Sequence, residues 1–112
     1  MDVKIAASLQ DIQLSIEEIF EFLGDKRDFL AYQSEKMKKK AIERNLEIIG
    51  EAVNRILKID ALFPLENAKN IIGTRNRIIH SYDNISDEVI WSIIMRDLPQ
   101  LKIEVDKLLE DM

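Results

Sequence analysis

The chain has 112 residues, no cysteine, three glycines and one histidine, and its formal net charge is −5. Without cysteine there can be no disulfide, iron–sulfur cluster or thiol nucleophile, and one histidine excludes a multi-histidine zinc site within one chain. Three scattered glycines cannot form a glycine-rich phosphate loop. No apolar run is long enough for a membrane span, and the N-terminus lacks a signal-peptide pattern. We therefore predict one cytoplasmic domain over residues 1–112.

Hydrophobic spacing predicts helices and indicates no strand. Apolar residues recur every three or four positions over residues 5–23, which predicts a first helix that ends at Gly24. Residues 25–34 are expected to form a short helical turn or a packing loop. A second, longer helix should run from Ser34, as its N-cap, to Ile59.

The second helix should carry a wide apolar face. Two adjacent apolar stripes are typical of a central bundle helix, or of a helix that serves both the core and a dimer contact. The first stripe consists of Ile42, Leu46, Ile49, Val53 and Ile56, and the second of Met37, Ala41, Ile48, Ala52 and Ile59.

Further helices are expected in the second half of the chain. A third should begin at residue 66 or 67 and end at His80, and a fourth should begin at Asn84 or Ser86, either of which could cap it. Pro99 should kink or divide this last segment. The predicted fold is therefore all-α, with four or five helices in a bundle.

Positive charge is concentrated in two segments of this acidic chain. Residues 36–44 contain five basic residues against one acidic residue, and residues 67–82 contain no acidic residue. If both segments face the same way, they would bind an anion such as an RNA phosphate. A solvated helix start is the alternative for the lysines, although lysines at a helix N-terminus oppose the helix dipole. The residues assigned to phosphate or RNA binding are Lys36, Lys39, Lys40, Arg44, Lys69 and Arg77.

The most informative segment is residues 75–82, which read RNRIIHSY. On a helix, His80 shares a face with Asn76 and neighbours Arg77, whereas Arg75 lies about 140° around the axis from His80. Arg75 and His80 can meet only if the arginine curls round, the helix unwinds at its end, or a second chain completes the site. The helix dipole favours the charged form of a histidine at a C-terminus, which suits proton exchange near neutral pH.

Arginine, amide and histidine groups around a phosphodiester are what RNA cleavage without a metal ion requires. The 2′-hydroxyl must be activated, the pentavalent phosphorus stabilised and the leaving 5′-oxygen protonated. The alternative for His80 is a helix-end histidine that caps carbonyl groups, and for Tyr82 a core or rim position.

Arg75, His80 and Tyr82 form the pattern RxxxxHxY, which resembles the motif of HepT toxins in the HEPN superfamily. The resemblance covers roughly residues 1–110 and includes four further stretches in the same order. They are residues 43–52 (ERNLEIIGEA), 71–80 (IIGTRNRIIH), 89–91 (VIW) and 97–101 (DLPQL).

The resemblance implies a homodimeric all-α toxin of HEPN type, from a type VII toxin–antitoxin system, that acts as a metal-independent endoribonuclease. It implies that Arg75 binds the phosphate and stabilises the transition state, that His80 is the general acid and base, and that Asn76 assists. It also implies a small nucleotidyltransferase antitoxin, MntA, which silences the toxin by AMP transfer to Tyr82. No metal or other cofactor is implied.

General acid and general base are two roles, and each chain has one imidazole. A two-fold dimer that apposes residues 75–82 of both chains would supply His80 twice and gather the basic residues in one cleft. We therefore predict an active cleft at the dimer interface. The other function left open is a helical dimer that binds a nucleotide, RNA or a nucleotidyltransferase partner without cleavage.

Overall fold

A computed structural model describes residues 2–25, 27–68, 71–73 and 86–111, and they form an all-helical domain. No strand occurs within these ranges, so the predicted all-α class is confirmed, and no helix there is long and apolar enough to cross a membrane. The α-helices of the described residues are α1 (Val3–Leu23), α2 (Phe29–Ser34), α3 (Lys36–Ile59), α4 (Asp87–Ser92) and α5 (Leu98–Glu110). 

Helix α1 forms where the apolar spacing predicts it. The Asp2 carboxylate caps it by accepting hydrogen bonds from the backbone N–H groups of Lys4 (2.7 Å) and Ile5 (3.2 Å). Gly24 ends it with a φ of 69°, in the left-handed region that favours glycine. Its predicted stripe is buried in the core at Ile5, Leu9, Ile12, Ile16 and Ile19.

The predicted N-cap at Ser34 is wrong, because Ser34 is the last residue of α2. The Asp28 carboxylate accepts a hydrogen bond from the Ala31 N–H (3.2 Å) and so starts a helical turn before Ser34 is reached. The Ser34 hydroxyl donates to the Ala31 carbonyl (3.1 Å) within that turn. Glu35 stands at the start of α3 and makes no side-chain capping bond.

Helix α3 is the central helix, and it packs mainly against α1. Every residue of its first predicted stripe is fully buried. The second stripe is divided: Ala52 is buried, Ala41 and Ile48 are half-buried, and the ends at Met37 and Ile59 are 86% and 45% exposed. The wide apolar face therefore exists, but the single chain does not cover its ends.

The predicted third helix begins with a 3-10 turn at Glu66–Ala68, and residues 71–73 are helical. Its remainder up to His80, together with Asn84, lies outside the described residues. Ser86 caps α4 by accepting a hydrogen bond from the Val89 N–H (3.2 Å), as predicted.

Pro99 divides the last segment, as predicted, and the division is a π-helical turn at Ile93–Asp97. Proline lacks an N–H and clashes with the carbonyl four residues before it, so the α-helical pattern cannot continue through it. The Leu98 N–H instead bonds to the Ile93 carbonyl, five residues earlier. Pro99 then lies in the first turn of α5, where no N–H is needed.

Candidate functional site

The structure describes four of the predicted site residues. Lys36, Lys39, Lys40 and Arg44 lie on the first turns of α3. The others lie outside the described residues, and they are Lys69, Arg75, Asn76, Arg77, His80 and Tyr82. The described part of the candidate site is therefore the basic start of α3, together with the chain segments on either side of the motif.

An ion pair joins the start of α3 to the segment that follows the motif. The Lys39 ammonium lies 2.8 Å and 2.9 Å from the two carboxylate oxygens of Asp87, the first residue of α4. Both side chains are about four-fifths buried, with 22% and 20% exposed. Because Asp87 directly follows the cap residue Ser86, this pair ties the beginning of α4 to α3.

Other ion pairs reduce the positive charge of the same surface. The Lys38 ammonium lies 2.6 Å from Glu35, and the Arg44 guanidinium lies 3.1 Å from Glu47. Two cations of this stretch make no ion pair within the described ranges, and they are Lys36 and Lys40. The high local charge that the sequence shows is thus available for an anion mainly at these two exposed lysines.

A cavity of about 250 Å³ opens at this end of α3 and is lined by Lys36, Lys39, Lys40 and Glu43. We call it the lysine cavity. Among the described residues, Glu43 is its one acidic lining residue, half-buried and four positions after Lys39 on the same helix. Its volume lies just below the range typical of small-molecule pockets, so it suits one part of a larger ligand.

The pKa of Glu43 is raised above its ordinary value, and burial of the carboxyl group is the largest cause. Lys39 and Lys40 oppose the rise, whereas the negative charges of Asp87 and Glu47 add to it. The net result is a carboxyl group that holds its proton more tightly than an exposed glutamate.

A cluster of three aromatic side chains lies behind this region. The Tyr32 ring centroid is 5.3 Å from that of Trp91 and 6.4 Å from that of Phe29. The Tyr32 side chain is 1% exposed, and its hydroxyl has no hydrogen-bond partner among the residues that the structure describes. Burial raises the pKa of this hydroxyl, and the nearby charges of Glu43 and Asp87 raise it further.

The chain that leads into the motif is held by α5. The Glu104 carboxylate accepts hydrogen bonds from the N–H groups of Glu66 (2.9 Å) and Asn67 (3.2 Å), and from the Asn67 side-chain amide (2.6 Å). Ala68 and Ile71 are buried in the core just beyond. Both sides of the motif segment are therefore attached to the helical frame.

Two residues of this region, Asp87 and Glu104, contact partners that the sequence does not indicate. Asp87 is 48 positions from Lys39, and Glu104 is 37 and 38 positions from the groups that it binds. No helical spacing connects residues so far apart. Glu43 could have been found, because four positions separate it from Lys39 and place both on one helix face.

A larger groove of about 620 Å³ lies on the seam between α1 and α3, and none of the four described site residues lines it. Arg55 crosses it, donating to the Ser8 hydroxyl (3.3 Å) and to the Asp11 carboxylate (3.1 Å). Lys4 and Lys58 line its edges. Because Asp11 neutralises the charge of Arg55, this groove offers an anion a weaker positive charge than the lysine cavity does.

Comparisons with known proteins give one family. A family model described as "Ribonuclease HepT-like" matches residues 12–108. A Methanocaldococcus jannaschii protein named "Putative RNase MJ1380" is 39% identical over 107 residues, which cover 94% of each chain. Another from this organism, "Putative RNase MJ0125", is 33% identical over 109 residues, covering 96% of this chain and 93% of its own. A Thermococcus cleftensis protein named "Probable ribonuclease HepT" is 35% identical over 103 residues, covering 89% and 91% respectively. No solved structure matches the chain.

Proposed function

The chain belongs to the HepT-like ribonuclease family, and we propose that it is the RNA-cleaving toxin of a type VII toxin–antitoxin pair. The observation that carries the proposal is the family match over residues 12–108, which includes Arg75, Asn76 and His80 at the spacing of the motif. In the proposed reaction, Arg75 stabilises the charge that develops on the phosphate, Asn76 assists, and His80 transfers protons. No metal ion takes part.

The lysine cavity supports RNA as the substrate. Lys36 and Lys40 make no ion pair within the described ranges, so their ammonium groups are available to a phosphodiester. Asp87 connects this cavity to the motif, because it binds Lys39 and follows Tyr82 by five residues. Five residues of fully extended chain span about 18 Å, which limits the distance between the motif and the cavity. Arg44, Lys69 and Arg77 are proposed to extend the phosphate contacts.

The uncovered ends of the second apolar stripe of α3 support a dimer. Met37 is 86% exposed and Ile59 is 45% exposed, although both continue a stripe that is buried at Ala52. A contiguous exposed apolar patch is typical of an interaction site, and a second copy that covered these two ends would complete the burial of the stripe. We propose that a second copy of the chain covers it and that the active cleft lies at this interface. A variant held monomeric by a charged residue at Met37 should then stay folded and lose cleavage.

The burial of the other tyrosine, Tyr32, supports Tyr82 as the residue that receives AMP. The chain has two tyrosines, and Tyr32 is 1% exposed inside the aromatic cluster, where no enzyme could reach its hydroxyl. Mass spectrometry after co-expression with a cognate nucleotidyltransferase should locate AMP on Tyr82. An unmodified Tyr82 in fully neutralised toxin would refute modification as the mechanism.

The decisive test compares the wild type with His80→Ala and Arg75→Ala. Both variants should lose RNA cleavage and growth arrest while their far-UV circular dichroism stays unchanged, and EDTA should not affect the wild type. Retained toxicity in both variants would refute the proposal. RNA that is bound in a salt-sensitive manner but recovered intact would support the alternative, a helical dimer that binds without cleaving.

A further inference from the structure

The lysine cavity contains a group that phosphate binding alone does not explain. A carboxylate repels a phosphate, so a cavity that only bound the RNA backbone would be better without Glu43. Lys39 compensates for Glu43 only in part, because Asp87 holds its ammonium at 2.8 Å and 2.9 Å and burial still leaves the pKa of Glu43 raised. The arrangement is therefore two available cations, Lys36 and Lys40, beside one available carboxyl group.

Glu43 also lacks the contacts of a structural residue. Within the described ranges it makes no hydrogen bond and no ion pair, although it is half-buried. Glu47, one turn further along the same helix, has an ordinary structural contact, since it accepts a hydrogen bond from Arg44 at 3.1 Å. A half-buried carboxyl group without a partner lowers stability, so its presence calls for a role toward a ligand.

We propose that Glu43 is the general base of RNA cleavage and acts on the ribose 2′-hydroxyl of a nucleotide whose phosphate is held by Lys36 and Lys40. A hydroxyl group is the one donor that RNA offers next to each phosphate and DNA does not. A carboxylate beside two ammonium groups matches the 2′-hydroxyl and its neighbouring phosphate. The carboxylate can accept the hydrogen bond of the hydroxyl, and the two cations can bind the phosphate. The assignment rests on the proposed ribonuclease function.

The reaction takes place between two successive nucleotides of one RNA strand. The Glu43 carboxylate takes the proton of the 2′-hydroxyl as its oxygen bonds to phosphorus, the bond from phosphorus to the 5′-oxygen breaks, and His80 gives a proton to that oxygen. The products are a 2′,3′-cyclic phosphate and a 5′-hydroxyl end, and solvent exchange restores both side chains. The second imidazole of a dimer is then not needed as the base.

The surroundings of Glu43 make its carboxylate a stronger base than that of an exposed glutamate. Burial raises its pKa, and a carboxylate with a raised pKa binds a proton more tightly. Within the described ranges, the titratable and charged groups around it come from three helices: Tyr32 on α2, Lys36, Lys39, Lys40 and Glu47 on α3, and Asp87 on α4.

The test is the pH dependence of kcat/KM for an RNA oligonucleotide with wild type, Glu43→Gln and the matched control Glu47→Gln. Glu43→Gln should lower kcat/KM by about 10²- to 10⁴-fold and remove the acidic limb of the profile. Glu47→Gln should keep the rate and move that limb slightly to lower pH, because Glu47 helps to raise the pKa of Glu43. A Glu43→Gln enzyme with the wild-type rate and profile would overturn the assignment and favour two histidines.

A binding measurement separates this role from a structural one. In a His80→Ala background, which should not cleave, RNA and DNA oligonucleotides of one sequence are compared by fluorescence anisotropy. Adding Glu43→Gln should weaken the preference for RNA over DNA while binding of DNA is kept or strengthened, since a negative charge is removed. An unchanged preference would contradict contact with the 2′-hydroxyl. Thermal melts followed by circular dichroism verify that each variant is folded.

The two proposals fail in different ways. If the wild type cleaves no RNA, the ribonuclease function fails and the assignment of Glu43 fails with it. If the wild type cleaves, His80→Ala does not and Glu43→Gln still does, only the assignment of Glu43 fails.

Discussion

Glu104 offers the sharpest test of how α5 anchors the chain that precedes the motif. Its carboxylate on α5 accepts hydrogen bonds from the Glu66 N–H (2.9 Å), the Asn67 N–H (3.2 Å) and the Asn67 side-chain amide (2.6 Å). These bonds connect positions 37 and 38 residues apart, and they lie on the segment that precedes the motif in the sequence. The perturbation is Glu104→Ala, with Glu104→Gln as a graded second variant.

The expected loss in the free energy of unfolding depends on how exposed each hydrogen bond is. The bond from Glu66 is exposed, so water replaces it at little cost. The two bonds from Asn67 are partly buried, and losing them should cost about 1 kcal/mol each, or about 2 kcal/mol for Glu104→Ala. In Glu104→Gln, the remaining carbonyl oxygen can still accept both bonds from Asn67. Only the charge and the exposed bond are lost, which should cost about 0.5–1 kcal/mol.

The assay is urea unfolding followed by far-UV circular dichroism, with Glu110→Ala as the control at the exposed end of α5. The free energy of unfolding should decrease most for Glu104→Ala, less for Glu104→Gln, and by less than about 0.5 kcal/mol for the control. A Glu104→Ala protein as stable as the control would refute the reasoning, and so would a glutamine variant as unstable as the alanine variant.

Three further results are expected. Leu46→Ala should lower the free energy of unfolding by about 2–5 kcal/mol in urea, because Leu46 is fully buried; Leu14→Ala, at a site 62% exposed, should change it by less than about 0.5 kcal/mol. Tyr32→Phe should be neutral or stabilising by up to about 1 kcal/mol, since it removes a buried hydroxyl without a partner in the described part of the chain. Because the native pKa of Tyr32 is raised, wild-type stability should fall as the pH rises above about 10, and a thermal melt of Tyr32→Phe should show a smaller fall. Glu43→Gln should raise Tm at pH 7, and this gain should vanish near pH 4. The reason is that a carboxyl group with a raised native pKa favours the folded state only while it is protonated, so its contribution is present at low pH and lost as the pH rises.

The parts of the fold that could be predicted are those set by neighbours in the chain. Apolar spacing predicts α1 and the buried stripe of α3, Gly24 predicts the end of α1, and Ser86 predicts the start of α4. The N-cap at Ser34 was wrong because Asp28, six residues earlier, caps a separate short helix that already contains Ser34. Two competing caps in one stretch cannot be ranked from the sequence, since each satisfies the same rule.

The residues of the candidate site could be predicted from the sequence, but their contacts could not. The motif residues Arg75, His80 and Tyr82 were found from the sequence, and their roles stay predictions because they lie outside the described residues. The lysines were also found, but their partners were not. Lys39 is paired with Asp87, 48 positions away, and that pairing depends on how α4 packs against α3.

The sequence by itself determined the helical class, the family, and the helix boundaries at Gly24, Ile59 and Ser86, because apolar spacing, caps and motifs act between residues close in the chain. Only the tertiary structure decided which charges are available. It pairs Lys39 and leaves Lys36, Lys40 and Glu43 in one cavity, without ion pairs in the described ranges. The physical reason is that Coulombic pairing and desolvation depend on distance and burial in space, and no periodicity along the chain records either.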